Sequence, residues 1–181
     1  AHLTDIHGAT ELDQVHRFTH EWERQASLRL RARDPTVLEE YERHGRLHDG
    51  TLDQMEARIV DAWQQARQRG ATVALMANTT DTVARLNHLA QQTRIHAGEL
   101  DPTAPAVYIG GQRLRVGDEV VTRRNHRSLL TDQGHMVKNR DHWTITAIHP
   151  DGRVLLQGST GIIRLPADYV VEHLELGYAQ T

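Results

Sequence analysis

Six basic side chains crowd into positions 113–127: Arg113, Arg115, Arg123, Arg124, His126 and Arg127. Arginines at this density are the residue type that tracks a phosphate backbone, because the planar guanidinium donates in a fork to phosphate oxygens. The competing reading is a solvated strand face, with Asp118 and Glu119 diluting the charge. Histidine offers a second chemistry. There are 13 in the chain, and His2/His7, His16/His20 and His44/His48 are the near pairs. Four-residue spacing puts His16 and His20 on one helix face, as metal ligands are. No Glu sits between them in the H-E-x-x-H manner, and the chain has no Cys, so a solvated pair is the better reading and no metal ligands are assigned. Neither a G-x-x-x-x-G-K-[ST] loop nor a G-x-S-x-G elbow occurs. Trp22, Trp63 and Trp143 fall on apolar periodic positions, which suits core packing better than base stacking. Arg17, by position alone, is an ordinary surface arginine.

These side chains need elements to hold them. From Glu11 to Leu30, the residues Leu12, Val15, Phe18, Trp22 and Ala26 step by three or four and predict a helix. Asp34 and Pro35 open a second helix that Gly45 stops. Thr51 and Gln54 form a capping-box pattern before a third helix over 52–69, with Leu52, Met55, Ile59, Ala62 and Ala66 on its inner face and Gly70 at its end. TVALMA at 72–77 reads as a buried strand, and NTTD caps a helix with Val83, Leu86 and Ala90 on one face, ending near Gly98. Strand, polar turn and helix make half of a βαβ unit, which points to a parallel sheet. Pro102 and Pro105 mark a boundary. Beyond Val107 the period changes to two: VYI, a Gly110-Gly111 turn, QRLRV, DEVVTR, HWTITAI, a hairpin at Asp151-Gly152, RVLLQ and GIIRL. These short strands predict a small antiparallel barrel of SH3-like or OB-like size.

Composition limits the alternatives. The chain has 181 residues, a net charge of −3 and a pI near 6.5, so any nucleic-acid surface is local. Zero cysteines fit a cytoplasmic protein. Aromatics make up 4%, so the core rests on Val, Leu, Ile and Ala. No apolar run approaches a membrane span, and the N-terminus has no signal-peptide pattern.

LDQVHRFTHEWERQASLRLRARD at 12–34, HGRLHDG at 44–50 and VALMANTTDTVARLN at 73–87 resemble, in order, segments of conjugative relaxase-helicases of the TrwC/TraI/TraA kind. GDEVVTRRN at 117–125, VKNRDHWTITAI at 137–148 and LPADYVVEHLELGYAQT at 165–181 continue that order and are also similar to RecD-type superfamily-one helicases. The resemblance implies an α/β fold: a partial RecA-like motor domain with a helix-rich N-terminal half over 1–106, a small antiparallel SH3-like β-barrel inserted at 107–171, and a return to the motor at 172–181. It implies that Arg17 faces the ATP phosphates as an arginine finger. It implies that Asn78 and Thr79 grip a DNA strand at the mouth of the sheet, and that Asn125, Asn139 and Asp141 belong to the barrel loops. The family has Asn-Gly-Asp where this chain has Asn139-Arg140-Asp141, so Arg140 replaces a residue suited to positive φ and adds charge beside DNA.

The implied partners are single-stranded DNA and the remaining helicase and relaxase domains. ATP and Mg²⁺ would serve the full-length protein, with none expected on this piece. The phosphate-binding loop, the acidic Mg²⁺ motif and the relaxase tyrosines are not in the sequence. There is no start Met, and LGYAQT begins a motif whose His-x-x-Gln-Gly part is missing. The expectation is a fragment, inactive alone, that contributes Arg17 and a DNA track formed by Asn78, Thr79, Arg123, Arg124, Asn125, Arg127, Asn139 and Arg140. The alternative is a non-catalytic module that binds single-stranded DNA or protein. A hydrolase built on the histidine pairs is the third and weakest class.

Overall fold

The computed structural model describes residues 18–181. The chain divides into two compact units, residues 1–50 and 51–181.

In the first unit, α1 (Glu21–Arg31) and α2 (Val37–Arg43) form a helical pair. The predicted start of α2 moves by two residues. Asp34 accepts from the Thr36 amide and hydroxyl at 2.9 and 2.6 Å, which makes a turn before the helix rather than its cap. Gly45 ends α2 at φ +63°, as the sequence suggested. Trp22 stacks on His44, with ring centroids 3.8 Å apart, and meets Tyr41 edge-on. His44 also contacts Glu40 at 3.1 Å, so this histidine is engaged in packing.

The second unit begins with α3 (Leu52–Gln68), and its Thr51/Gln54 capping box forms as the sequence pattern requires. The inner face of α3 differs from expectation. Leu52 and Ile59 are exposed, while Glu56, Val60, Trp63 and Gln64 are buried. One residue along a helix is a rotation of about 100°, and the large Trp63 wins the core position. Strand β1 (Leu75–Met76) and α4 (Thr80–His96) follow.

Eight strands come next: β2 (Ala106–Ile109), β3 (Gln112–Arg115), β4 (Glu119–Thr122), β5 (His126–Leu130), β6 (Met136–Val137), β7 (His142–Ile148), β8 (Val154–Gly158) and β9 (Gly161–Leu165). A short helix, α5 (Ala167–His173), leads to β10 (Leu174–Leu176) and β11 (Ala179–Gln180). The main sheet is antiparallel in the order β10-β4-β7-β8-β9. Its inner faces alternate as amphipathic strands do, burying Val120, Trp143, Ile145, Leu156, Ile163 and Leu165. Gly152, at φ +83°, closes the β7–β8 hairpin at the predicted Asp-Gly step.

The predicted SH3-like barrel is not closed. The five strands form an open sheet, and β2–β3 and β5–β6 stand as separate two-stranded ladders instead of sealing its edges. The parallel pairing expected of TVALMA does occur, between β1 and β11 (Leu75 opposite Ala179, Met76 opposite Gln180). It amounts to two short strands, which makes the second unit a mixed helix-and-sheet fold and does not by itself define a RecA-like sheet.

Candidate nucleic-acid interface

The turn after β1 delivers Asn78 and Thr79 to the start of α4. Asn78 is exposed. Thr79 is the helix cap: its hydroxyl accepts from the Thr82 amide at 3.2 Å. The same hydroxyl donates to the Thr82 hydroxyl at 2.9 Å. Asp81 lies in the same first turn, where a carboxylate favours the helix dipole and opposes a second anion.

Beside this helix start runs a groove of about 490 Å³, lined by Thr80 and Asp81 from α4, by Arg123 and Arg140, and by Glu172 and Glu175. Arg123 is exposed, and its Nε lies 3.4 Å from Glu175. Arg140 donates to the Thr181 carbonyl and hydroxyl at 3.0 and 3.2 Å. The Asn139-Arg140-Asp141 turn forms despite the missing glycine: Arg140 sits at φ +68°, with Lys138 N–H held by the Asp141 carboxylate at 2.7 Å. A non-glycine residue in this region is strained by roughly 1–2 kcal/mol. Asn125 accepts from the Asn139 amide at 2.7 Å, so these two join neighbouring loops to each other. Arg124 meets His173 at 3.3 Å, and its carbonyl accepts from the buried Tyr169 hydroxyl. Arg127 is exposed on β5.

The structure therefore gathers Arg123 and Arg140 on one groove next to the Thr79 cap. Arg124 and Arg127 lie outside the lining of that groove. Arg17, with His2, His7 and His16, lies outside the described residues. Among the described residues no three His, Asp or Glu side chains group as a metal site. No described helix is long and apolar enough to cross a membrane.

Sequence reasoning missed the buried polar junction behind the groove. Asp118, fully buried, accepts from the Tyr178 hydroxyl at 2.6 Å, the Gln91 amide at 2.7 Å and the Arg115 backbone at 2.6 Å. Burial pushes its carboxyl above the ordinary range, against the pull of those donors. Burial, then the neighbouring Asp118 charge, pushes the Tyr178 phenol up as well. Asn87 clamps the chain on both sides of Tyr178, donating to Leu176 O at 3.1 Å and accepting from Ala179 N at 2.8 Å. Arg94 adds contacts to Tyr178 and Glu99, each at 3.0 Å. The available signal was Asn87 and Gln91, polar residues four apart on the same stripe as Leu86 and Ala90.

A family model described as an AAA domain matches residues 1–52. That match supports a helicase-like, nucleotide-using domain and nothing finer. No curated protein and no solved structure matches the chain.

Proposed function

We propose that this chain is part of the second motor domain of an ATP-dependent DNA helicase, the motor of a conjugative relaxase, and that it carries a stretch of the single-stranded DNA track. The division is a RecA-like piece over 1–106, an SH3-like insertion over 107–171 and a return at 172–181. The observation that carries the reading is the groove shared by the α4 start, Arg123 and Arg140. The AAA-domain match to residues 1–52 and the parallel β1–β11 pair support it. In this reading Asn78 and Thr79 grip the strand at the helix start, Arg123, Arg124, Arg127 and Arg140 hold its phosphates, and Asn125 and Asn139 contact it from their loops.

Arg17 faces the ATP phosphates across the motor cleft. ATP and Mg²⁺ are held mainly by residues of the remaining motor, and when bound they supply the phosphoryl transfer that drives movement. The protein works in the cytoplasm with its relaxase domains. The test is Arg17→Ala in the complete motor. DNA-stimulated ATPase should fall by about a thousandfold or more, and unchanged turnover would sink the arginine-finger role.

A second reading, a non-catalytic module for single-stranded DNA, has one observation in its favour: Arg124 and Arg127 are exposed away from the groove. It predicts the same DNA binding with no ATPase in the complete protein.

A further inference from the structure

Among the described residues, four buried side-chain polar atoms lack a hydrogen-bond partner, and two of them are the Nε atoms of Arg113 and Arg115. Both arginines line one cleft of about 670 Å³ between α3, α4 and the β2–β3 hairpin. They are two apart on β3, so the strand sends both to one side. Arg115 is only 7% exposed. The Arg115 charge acts on the buried Asp118 carboxylate, but no hydrogen bond joins the two, and native structures rarely leave a buried guanidinium nitrogen unpaired.

The acidic groups nearby are engaged elsewhere. Glu56, on the α3 wall, is held by three hydrogen bonds from Arg85 at 2.8–3.1 Å. Asp118 lies behind β3 and spends its oxygens on Tyr178, Gln91 and the Arg115 backbone, not on the guanidinium. The Arg115 side chain makes one long contact, 3.4 Å to the Arg113 carbonyl. Asp53, His88 and Arg85 itself complete the titratable groups of the cleft. At its edge Tyr108 pairs across the hairpin with Arg113, whose guanidinium carbon lies 5.7 Å from the ring centre. Tyr108 is 72% exposed.

We propose that this cleft binds the phosphate group of a nucleotide, clamped by Arg113 and Arg115, with Tyr108 as a platform for the base. Paired guanidinium forks match phosphate oxygens better than a lone ammonium does. An exposed aromatic ring beside them suits base stacking. The cleft has the volume of a small-ligand site. Asp53 on the opposite wall adds negative charge that disfavours a triphosphate, and the ligand expected is a single phosphate, either a free mononucleotide or one link of a strand. The site stands on this cleft alone and not on the helicase reading.

The test follows the arginine Nε–H signals by NMR at low salt while inorganic phosphate, thymidine monophosphate or a thymidine oligonucleotide is added to the 181-residue chain. Saturable shifts of the Arg113 and Arg115 signals are expected with the monophosphate. Arg113→Gln should weaken its binding about tenfold, as loss of a charge-assisted bond does. Arg115→Lys, which keeps the charge and guards against loss of fold, should weaken it less. Tyr108→Ala should weaken the nucleotide and leave inorganic phosphate unchanged. Oligonucleotide binding that is tighter than monophosphate binding and is lost in Arg113→Gln marks a strand as the source; equal affinities mark the free nucleotide. Signals that stay still with every probe, or an Arg113→Gln variant that binds as the parent does, overturn the site. Equal effects of Tyr108→Ala on phosphate and nucleotide overturn the base platform. Arg123→Ala should leave the monophosphate response intact, so failure of the groove reading is read separately.

Discussion

Arg94 and Arg123 each face a glutamate, yet they belong to two very different regions. Arg94 is 11% exposed and bonds Glu99, Tyr178 and the Gly117 carbonyl, with its guanidinium 5.4 Å from the Tyr178 ring centre. Burial works against its charge, but Tyr178 and Glu99 outweigh that and hold its pKa above the ordinary value. Arg123 is 40% exposed and faces Glu175 at 3.4 Å. An exposed pair of that kind contributes about 0–1 kcal/mol. The first region, the Asp118–Tyr178 junction, holds the fold. The second, a basic rim made of Arg123 and Arg140 on the groove and of Arg124 and Arg127 outside its lining, contributes little to stability. The same residue type is structural or available according to how many protein acceptors surround it.

The largest expected effect breaks the junction. Asp118→Ala leaves Tyr178, Gln91 and the Arg115 amide without their acceptor, and should cost about 3 kcal/mol, from 1–3 kcal/mol per stranded buried group. Urea unfolding measures it, and DNA affinity per folded molecule should not change. A loss below about 1 kcal/mol would erase the distinction between the two regions.

Gly177→Ala comes next. An added Cβ would sit 2.8 Å from the Val120 carbonyl carbon and 2.9 Å from Val121 Cγ1. The chain has to part from β4, and the cost should be about 2 kcal/mol, read from the shift in unfolding midpoint.

Acid titration sharpens the contrast further. The raised folded pKa of Asp118 means the native state binds its proton more tightly than the unfolded chain does. Its contribution is therefore fully present below the unfolded value and is lost as pH rises through the folded one. Glu99 has the opposite sign: burial opposes its charge, but Arg94 and Gln64 hold its pKa low, so its contribution is lost on acidification. Parent and Asp118→Asn should thus differ most in the parent's favour at the acidic end, and the gap should shrink as pH rises through the raised Asp118 value. A gap that is constant or grows with pH contradicts the assignment.

The smallest effect falls on the rim. Arg140→Gly relieves the positive-φ strain and forfeits two exposed hydrogen bonds to Thr181, so stability should rise by no more than about 1 kcal/mol while DNA binding weakens.

Much of the fold was legible because it rests on local chemistry. The Thr51/Gln54 box, the glycine helix stops and the Asp151-Gly152 hairpin need only nearest neighbours. The inner face of α3 was not legible, because two apolar stripes compete there and Trp63 decides between them through tertiary packing. The open sheet was hidden for a similar reason: alternation marks strands but not which edges seal. The basic rim could be read as a composition cluster, but pairing could not. Arg113 and Arg115 looked like Arg123 and Arg124 in sequence, and only the fold separates a buried cleft from an exposed edge. The Asp118–Tyr178 bond joins residues 60 apart, beyond any local pattern.

The most direct test of the central claim, that the rim holds strand phosphates, is single-stranded DNA affinity measured by fluorescence anisotropy across a salt series. Affinity should fall steeply with salt, and the log–log slope should become shallower by about 0.7 for each phosphate contact removed in Arg123→Ala, Arg124→Ala and Arg127→Ala. A salt-independent affinity, or a slope that all three variants leave unchanged, would contradict it.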